Sequence, residues 1–375
     1  MKVLILSCNT GQGHNAAGLA MLETFKARKI DAQMKDALIF KSENVSKITS
    51  NVYTTITPKS SWFFGCIYHA GRFISSSKYK SPVYLANTSY AKKMYEYLRD
   101  NQIDVLVAPH LFPAEAATYI RRHYDINLAC YAIATDYACI PFWEETEMDY
   151  YFIPENMKDE FLKHGISENK LVLTGIPVSK NYSINEDKAR LRQEFGISEK
   201  CKVYLIMSGS MGFGNIIDIV HELAKISGDN SRIIVLGGRN EALKSKLRNM
   251  YKNDLRITVM DFTDKVPQLL KISDVLLTKP GGLTSTEAAV SNIPIIHTAP
   301  IPGCETLNAR FFNKENMSVL VKNPSQIAKV ALDIVSDDNK REKMIQAQRL
   351  NINPHAADDI CDFIISRQTE GIGIK

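Results

Sequence analysis

Lys2-Val-Leu-Ile-Leu-Ser-Cys-Asn-Thr-Gly11-Gln-Gly13-His14-Asn-Ala-Ala17 opens the chain as a buried strand, a glycine turn and the start of a helix, with a histidine at the turn. The second half repeats that layout in Asp274-Val-Leu-Leu-Thr-Lys279-Pro-Gly281-Gly282-Leu-Thr284-Ser-Thr-Glu287-Ala-Ala, with a lysine, paired glycines and a glutamate. A strand that feeds a glycine turn and a helix N-terminus makes an anion site, because unpaired N–H groups and the helix dipole point at the same spot. Two such layouts predict two α/β domains and a cleft that holds a phosphate-bearing donor.

Outward from these stretches, apolar runs too uniform for strands with one wet face lie at residues 3–6, 105–107, 128–133, 150–153 and 171–173. They continue at 203–207, 232–236, 257–259, 275–277 and 295–296, and helical patterns at 16–29, 88–99, 114–123, 216–226 and 241–251 alternate with them. Continuous strands alternating with helices predict parallel sheets covered on both faces. Around Gly175-Ile-Pro-Val178 the series breaks, which sets a first Rossmann-like domain at 1–178 and a second at 179–353. The tail, residues 354–375, carries an amphipathic helix expected to pack back on the first domain.

Bulk composition narrows the class. A length of 375 residues suits about two domains. A net charge of +5 is modest and gives no reason to expect nucleic acid. The seven cysteines are scattered and odd in number, with neither a C-x-x-C pair nor zinc spacing, so a reducing cytoplasm is expected. The N-terminal apolar run is too short for a signal peptide and breaks at Asn9 and Gly11, so it reads as a first strand. No run approaches the roughly 18 apolar residues of a membrane span. Residues 59–99 are basic and aromatic, with Lys59, Arg72, Lys78, Lys80, Lys92, Lys93 and Arg99 interleaved with Trp62, Tyr84, Tyr90, Tyr95 and other rings. That mixture fits an anionic membrane surface, or a solvated helix pair whose rings pack inside.

Gly11-Gln-Gly13-His14-Asn15-Ala16 also fits the dinucleotide fingerprint, with Asp36 about 20 residues on, so an NAD-dependent oxidoreductase is an alternative. It leaves the second layout unexplained. In the second domain, Ser208-Gly209-Ser210-Met-Gly212-Phe-Gly214 follows a strand and forms a candidate diphosphate cradle. Gly237-Gly238-Arg239-Asn240 follows the next strand, and Asp261-Phe262 ends another. Because ligands of open α/β sheets bind at the carboxyl ends of strands, these loops should share one rim with Lys279, Gly281, Gly282 and Thr284. Glu287 lies one to two turns into its helix, where a carboxylate can accept both hydroxyls of a ribose.

These segments, with Thr135-Asp136-Tyr137, Trp143 and Pro302-Gly-Cys304-Glu305-Thr-Leu-Asn308-Ala, closely resemble the monogalactosyldiacylglycerol synthase and processive diacylglycerol glucosyltransferase family, related to the MurG transferase. The resemblance covers nearly the whole chain. It implies a GT-B fold, two Rossmann-like domains facing across a cleft, and inverting, metal-independent transfer of glucose or galactose from a UDP-sugar to diacylglycerol. No cofactor and no metal site are expected. The enzyme would act on the cytoplasmic face of the cell membrane as a peripheral protein.

An acceptor hydroxyl must lose its proton as it attacks, and a near-neutral histidine is the matched base. His14 is that candidate, with Asp136 orienting it or sharing the role. The resemblance places Gly13 and Trp143 at the acceptor, and Glu305 and Asn308 at the sugar hydroxyls. Family members often carry histidine where Ile140 stands and glutamine where Cys304 stands, so acceptor and sugar identity are the least constrained features. A transferase of N-acetylglucosamine to a lipid-linked peptidoglycan precursor would share the same nucleotide half. A lipid- or nucleotide-sensing protein would need no base.

Overall fold

A computed structural model of the chain describes residues 1–9, 12–42, 80–209, 212 and 214–372. Gly11, Ser210 and most of the basic aromatic stretch, including Lys59, Trp62, Arg72 and Lys78, lie outside the described residues. The chain divides into two compact units, Met1–Lys180 with Asn353–Lys375, and Asn181–Ile352.

The first unit is built on six parallel strands: β1 (Lys2–Ser7), β2 (Asp31–Asp36), β3 (Val105–Ala108), β4 (Ala129–Ile133), β5 (Tyr150–Ile153) and β6 (Leu171–Leu173). They lie in the order β2-β1-β3-β4-β5-β6. Strand β1 lies inside the sheet between β2 and β3, and Val3, Leu4, Ile5 and Leu6 are fully buried, as the absence of a polar alternation requires. Truncating Leu4, Ile5 or Leu6 to alanine would cost about 2–5 kcal/mol. The helix Gln12–Ala27 returns over this strand at close range: a Cβ on Gly18 would stand 2.9 Å from Met34 Cε and 3.3 Å from Ile5 Cγ2. The helix Ala356–Ile372 adds Ala357, Ile360, Cys361 and Ile364 to the same core, against Met21 and Phe25. Arg28 ties the two helices together through Asp358 at 2.8 Å and Asp362 at 2.9 Å.

The second unit repeats the plan with β7 (Lys202–Met207), β8 (Ser231–Leu236), β9 (Ile257–Met260), β10 (Val275–Thr278), β11 (Ile295–His297) and β12 (Val319–Leu320), all parallel. Their order is β12-β11-β10-β7-β8-β9. Its core joins Ile206, Val235, Leu277 and Ile296 of the sheet to Val220, Leu223 and Val335 of the covering helices.

Sequence periodicity missed β2 and β12. Asp-Ala-Gln-Met-Lys-Asp alternates polar and apolar residues on an edge strand with only Ala32 buried, and β12 has two residues. The pattern at 88–99 resolves into two helices, Pro82–Thr88 and Ala91–Asp100.

In both sheets the chain reverses its direction of progress at one place, between β1 and β3 in the first and between β7 and β10 in the second. The space outside the carboxyl ends of strands at such a reversal is where open α/β sheets bind ligands.

Candidate active site

At the first reversal, β1 leads to His14 in the opening turn of its helix, and β3 leads to Pro109 and His110. His14 Nδ1 lies 2.9 Å from Pro109 O and 2.8 Å from Thr135 Oγ1. A carbonyl can only accept, so Nδ1 carries the proton, and the second nitrogen, Nε2, is left unprotonated and basic. Burial of the ring lowers its pKa, while the Asp136 carboxylate and the Pro109 hydrogen bond pull it back up. A lowered value keeps the imidazole neutral at pH 7, as a general base requires.

Around these groups is a cavity of about 330 Å³, lined by His14, Phe112, Thr135, Asp136, Ile140 and Trp143 among others. Trp143 is buried at the head of a short 3-10 turn, Trp143–Glu145. His14, Asp136 and Trp143 thus meet in one place. Thr135, Pro109 and His110 join them and were not anticipated. The signal for His110 was in the sequence, as a histidine three residues past a predicted strand end. Pro109 acts through its carbonyl and leaves no side-chain signature.

The dinucleotide alternative needs the Asp36 carboxylate for a ribose. Its Oδ1 instead accepts Leu38 N–H at 3.0 Å, and its Oδ2 accepts the Asn9 amide at 2.8 Å.

At the second reversal, Gly209 follows β7 and Lys279 follows β10. Gly209 has φ +69°, a left-handed conformation that favours glycine, and a Cβ there would stand 2.8 Å from Lys279 Cε. Lys279 Nζ bonds Glu305 Oε1 at 2.5 Å, and Glu305 Oε2 accepts Ile301 N–H at 2.9 Å. Gly281 caps the helix Gly282–Val290 with an ordinary φ of −70°, and a Cβ there would meet nothing within 4 Å. Glu287, on that helix, has its carboxyl pushed up to about 7 by burial, against a hydrogen bond from Tyr182. Tyr182 was likewise not anticipated. Gly212 and Gly238 both adopt positive φ, 62° and 59°, and Arg239 and Phe262 are exposed, the latter at 76%. Thr284 is half-buried one turn from Gly281.

Two expectations change. Asn308 is fully buried and donates to Pro280 O at 3.1 Å, so it supports the Lys279-Pro280-Gly281 turn instead of facing a sugar. Asn240 spends its side-chain oxygen on capping the helix Glu241–Met250, accepting Leu243 N–H at 3.0 Å. In the basic aromatic stretch, Tyr84 and Tyr90 are core residues, and Lys80 donates to Glu145 O at 2.8 Å with its ammonium over the Tyr84 ring. Tyr95 stacks on Tyr124 at 4.3 Å. Helix packing claims these rings, and Lys92, Lys93 and Arg99 remain as exposed cations.

Among the described residues no group of three or more His, Cys, Asp or Glu could hold a metal ion. No helix among them is long and apolar enough to cross a membrane.

Residues 14–178 match the family described as monogalactosyldiacylglycerol (MGDG) synthase, and residues 187–351 match glycosyl transferases group 1. The chain is 26% identical over 381 residues to a processive diacylglycerol beta-glucosyltransferase of Bacillus cytotoxicus, covering 100% of this chain and 96% of the relative. The corresponding Bacillus cereus protein is 26% identical over 369 residues, covering 97% and 93%. Among solved structures, MurG of Acinetobacter baumannii superposes with a TM-score of 0.61 at 12% identity, over 98% of this chain and 100% of that one. The UDP-GlcNAc 2-epimerase of Neisseria meningitidis, solved with UDP-GlcNAc, gives 0.63 at 17% identity, over 98% and 100%. At such identities these structures establish the fold alone. Residues 14–178 thus carry a monogalactosyldiacylglycerol synthase domain and residues 187–351 a glycosyl transferases group 1 domain, and the chain is a GT-B glycosyltransferase homologous over nearly its full length to curated processive diacylglycerol beta-glucosyltransferases.

Proposed function

We propose that this protein transfers a hexose, glucose or galactose, from a UDP-sugar to the free hydroxyl of diacylglycerol at the cytoplasmic face of the cell membrane, with inversion and without a metal. One observation carries the reading: a neutral histidine whose Nδ1–H is tied to a backbone carbonyl stands at an apolar cavity in the unit that matches the synthase family.

In this mechanism the acceptor hydroxyl gives its proton to His14 Nε2 as its oxygen bonds to the anomeric carbon. The bond from that carbon to the β-phosphate oxygen breaks, and the electron pair leaves on UDP. Asp136 stabilises the imidazolium that forms. Gly13 and Trp143 border the acceptor. In the second unit, the N–H groups of the Gly281–Gly282 helix start and the loop at Gly209–Gly212 take the leaving diphosphate, with Lys279 as the nearby cation. The open space over Gly281 is where a phosphate oxygen would approach the backbone. Glu287 accepts the ribose hydroxyls, Phe262 offers an exposed ring to the base, and Glu305 faces the sugar once Lys279 turns to the phosphates. Gly238 and Arg239 complete the rim.

The test is a product assay on vesicles containing diacylglycerol and an anionic lipid, with a panel of UDP-sugars and EDTA in the buffer. A glycolipid formed from UDP-glucose or UDP-galactose is the expected result. Product formed only from UDP-N-acetylglucosamine and a lipid-linked peptidoglycan precursor would overturn the acceptor assignment. Activity lost to EDTA and restored by magnesium would overturn the metal-independent mechanism.

A further inference from the structure

His110 stands beside His14 and has so far been given no role. It ends the turn after β3 and caps the helix Leu111–His123, its Nδ1 accepting Phe112 N–H at 3.1 Å. An Nδ1 that accepts is unprotonated, so in the neutral ring the proton sits on Nε2. The ring is edge-on to His14, with centroids 4.5 Å apart and planes at 81°, and edge-on to Phe112 at 4.6 Å. His110 is 8% exposed and lines the same cavity as His14. The carbonyl that receives His14 Nδ1–H belongs to the residue just before it, Pro109. One two-residue turn therefore supplies both the hydrogen bond and the wall for the His14 ring.

We propose that His110 is a positioning residue for His14, its ring packed edge-on so that His14 keeps the Nδ1–H tautomer and presents Nε2 as the one basic nitrogen of the pair. This rests on the reading of His14 as the base. His110 itself has no basic nitrogen to offer, since Nδ1 is committed to the helix and Nε2 carries the proton. Its packing also shields His14 from water, which holds the resting imidazole neutral. The titratable groups facing His14 are Asp136, from the segment after β4, and His110, from the segment after β3. His14 in turn faces His110, whose own protonation is strongly disfavoured by burial and by the neighbouring ring. When the acceptor's proton reaches Nε2, Asp136 is thus the group that favours the charge, and His110 does not compete for it.

His110→Asn is the informative variant, because asparagine is a good N-cap and keeps an acceptor for Phe112 N–H while removing the ring. With the wall gone, water reaches His14 and its pKa rises toward or above the ordinary 6.5, drawn by Asp136. The acid limb of kcat/KM should then move up by about half a unit to one unit. Well below the wild-type acid limb the variant should be slower than wild type by about threefold to tenfold, with the gap narrowing toward pH 8 and UDP affinity unchanged. A wild-type pH profile in a folded His110→Asn protein would reduce His110 to a helix cap and overturn the proposal.

Should that variant fail to fold, ¹⁵N NMR of the wild-type imidazoles decides the matter. His14 protonated at Nδ1 and His110 at Nε2 supports it, and the opposite tautomer on either ring overturns it. His14→Ala separates this from the underlying reading. Full turnover in His14→Ala would defeat the general-base assignment itself, whereas lost turnover there with an unmoved His110→Asn profile defeats only the present inference.

Discussion

The reversal between β1 and β3 and the reversal between β7 and β10 are built alike and lined differently. Each is a parallel sheet in which an inner strand runs into a loop and the start of a helix. The first presents two imidazoles, a threonine hydroxyl and a carboxylate around an apolar cavity. The second presents glycines, a helix N-terminus and a lysine held by a glutamate. One scaffold yields proton-transfer chemistry in one unit and anion binding in the other, because the loops change while the strands that carry them do not. Each side of that division can be attacked separately.

The largest effect is expected at His14. His14→Ala should lower turnover by about 10²–10⁴-fold, the usual share of a general base. Wild-type kcat/KM should rise with pH through a value below 6.5, since burial lowers the His14 pKa and the neutral form is the active one. Steady-state rates between pH 5 and 8 check both statements, and near-normal turnover in the variant would remove His14 from the mechanism.

Next comes Glu287. Losing charge-assisted hydrogen bonds to a ribose should cost about 1.5–3 kcal/mol of UDP binding in Glu287→Ala. Its carboxyl is raised to about 7, so the ionised form that accepts most strongly is full above that pH and is lost as the pH falls through it. The affinity gap between wild type and Glu287→Gln should therefore be wide at pH 8 and nearly closed at pH 6, as read by calorimetry with UDP. A gap that does not vary with pH would mean that Glu287 serves only its helix and Tyr182.

A smaller change is expected at Gly209. Alanine there must hold a left-handed conformation, at about 1–2 kcal/mol, and displace the Lys279 side chain. UDP affinity should fall about tenfold while the His14-dependent pH profile stays where it is. A shifted profile would break the separation of roles.

Smallest is the membrane term. Each lysine near an anionic surface contributes about 1 kcal/mol, and among the described residues of the basic stretch Lys92 and Lys93 are exposed lysines. Replacing either one with glutamine should weaken flotation with anionic vesicles by about fivefold, and unchanged flotation would place the membrane contact elsewhere.

The inner strands were readable because buried parallel strands are uniformly apolar, and the loop after β7 was readable because Gly209 holds a left-handed conformation that favours glycine. Edge strands β2 and β12 escaped because one is polar on half its face and the other is two residues long. His14 and Glu287 were found from their place in a strand–turn–helix layout. Pro109 could not be, since its contribution is a carbonyl. Tyr182 lies more than 100 residues from Glu287, and only the fold joins them. The basic aromatic stretch left two readings open because composition does not say which side of a helix faces water, and Tyr84 and Tyr90 follow the one in which the rings pack inside.

Calorimetry of UDP binding to His14→Ala is the most direct measure of the division of labour. The account predicts a dissociation constant within about twofold of wild type in a preparation whose turnover has fallen at least about 100-fold. A loss of UDP affinity that parallels the loss of turnover would make His14 a donor ligand and contradict the account.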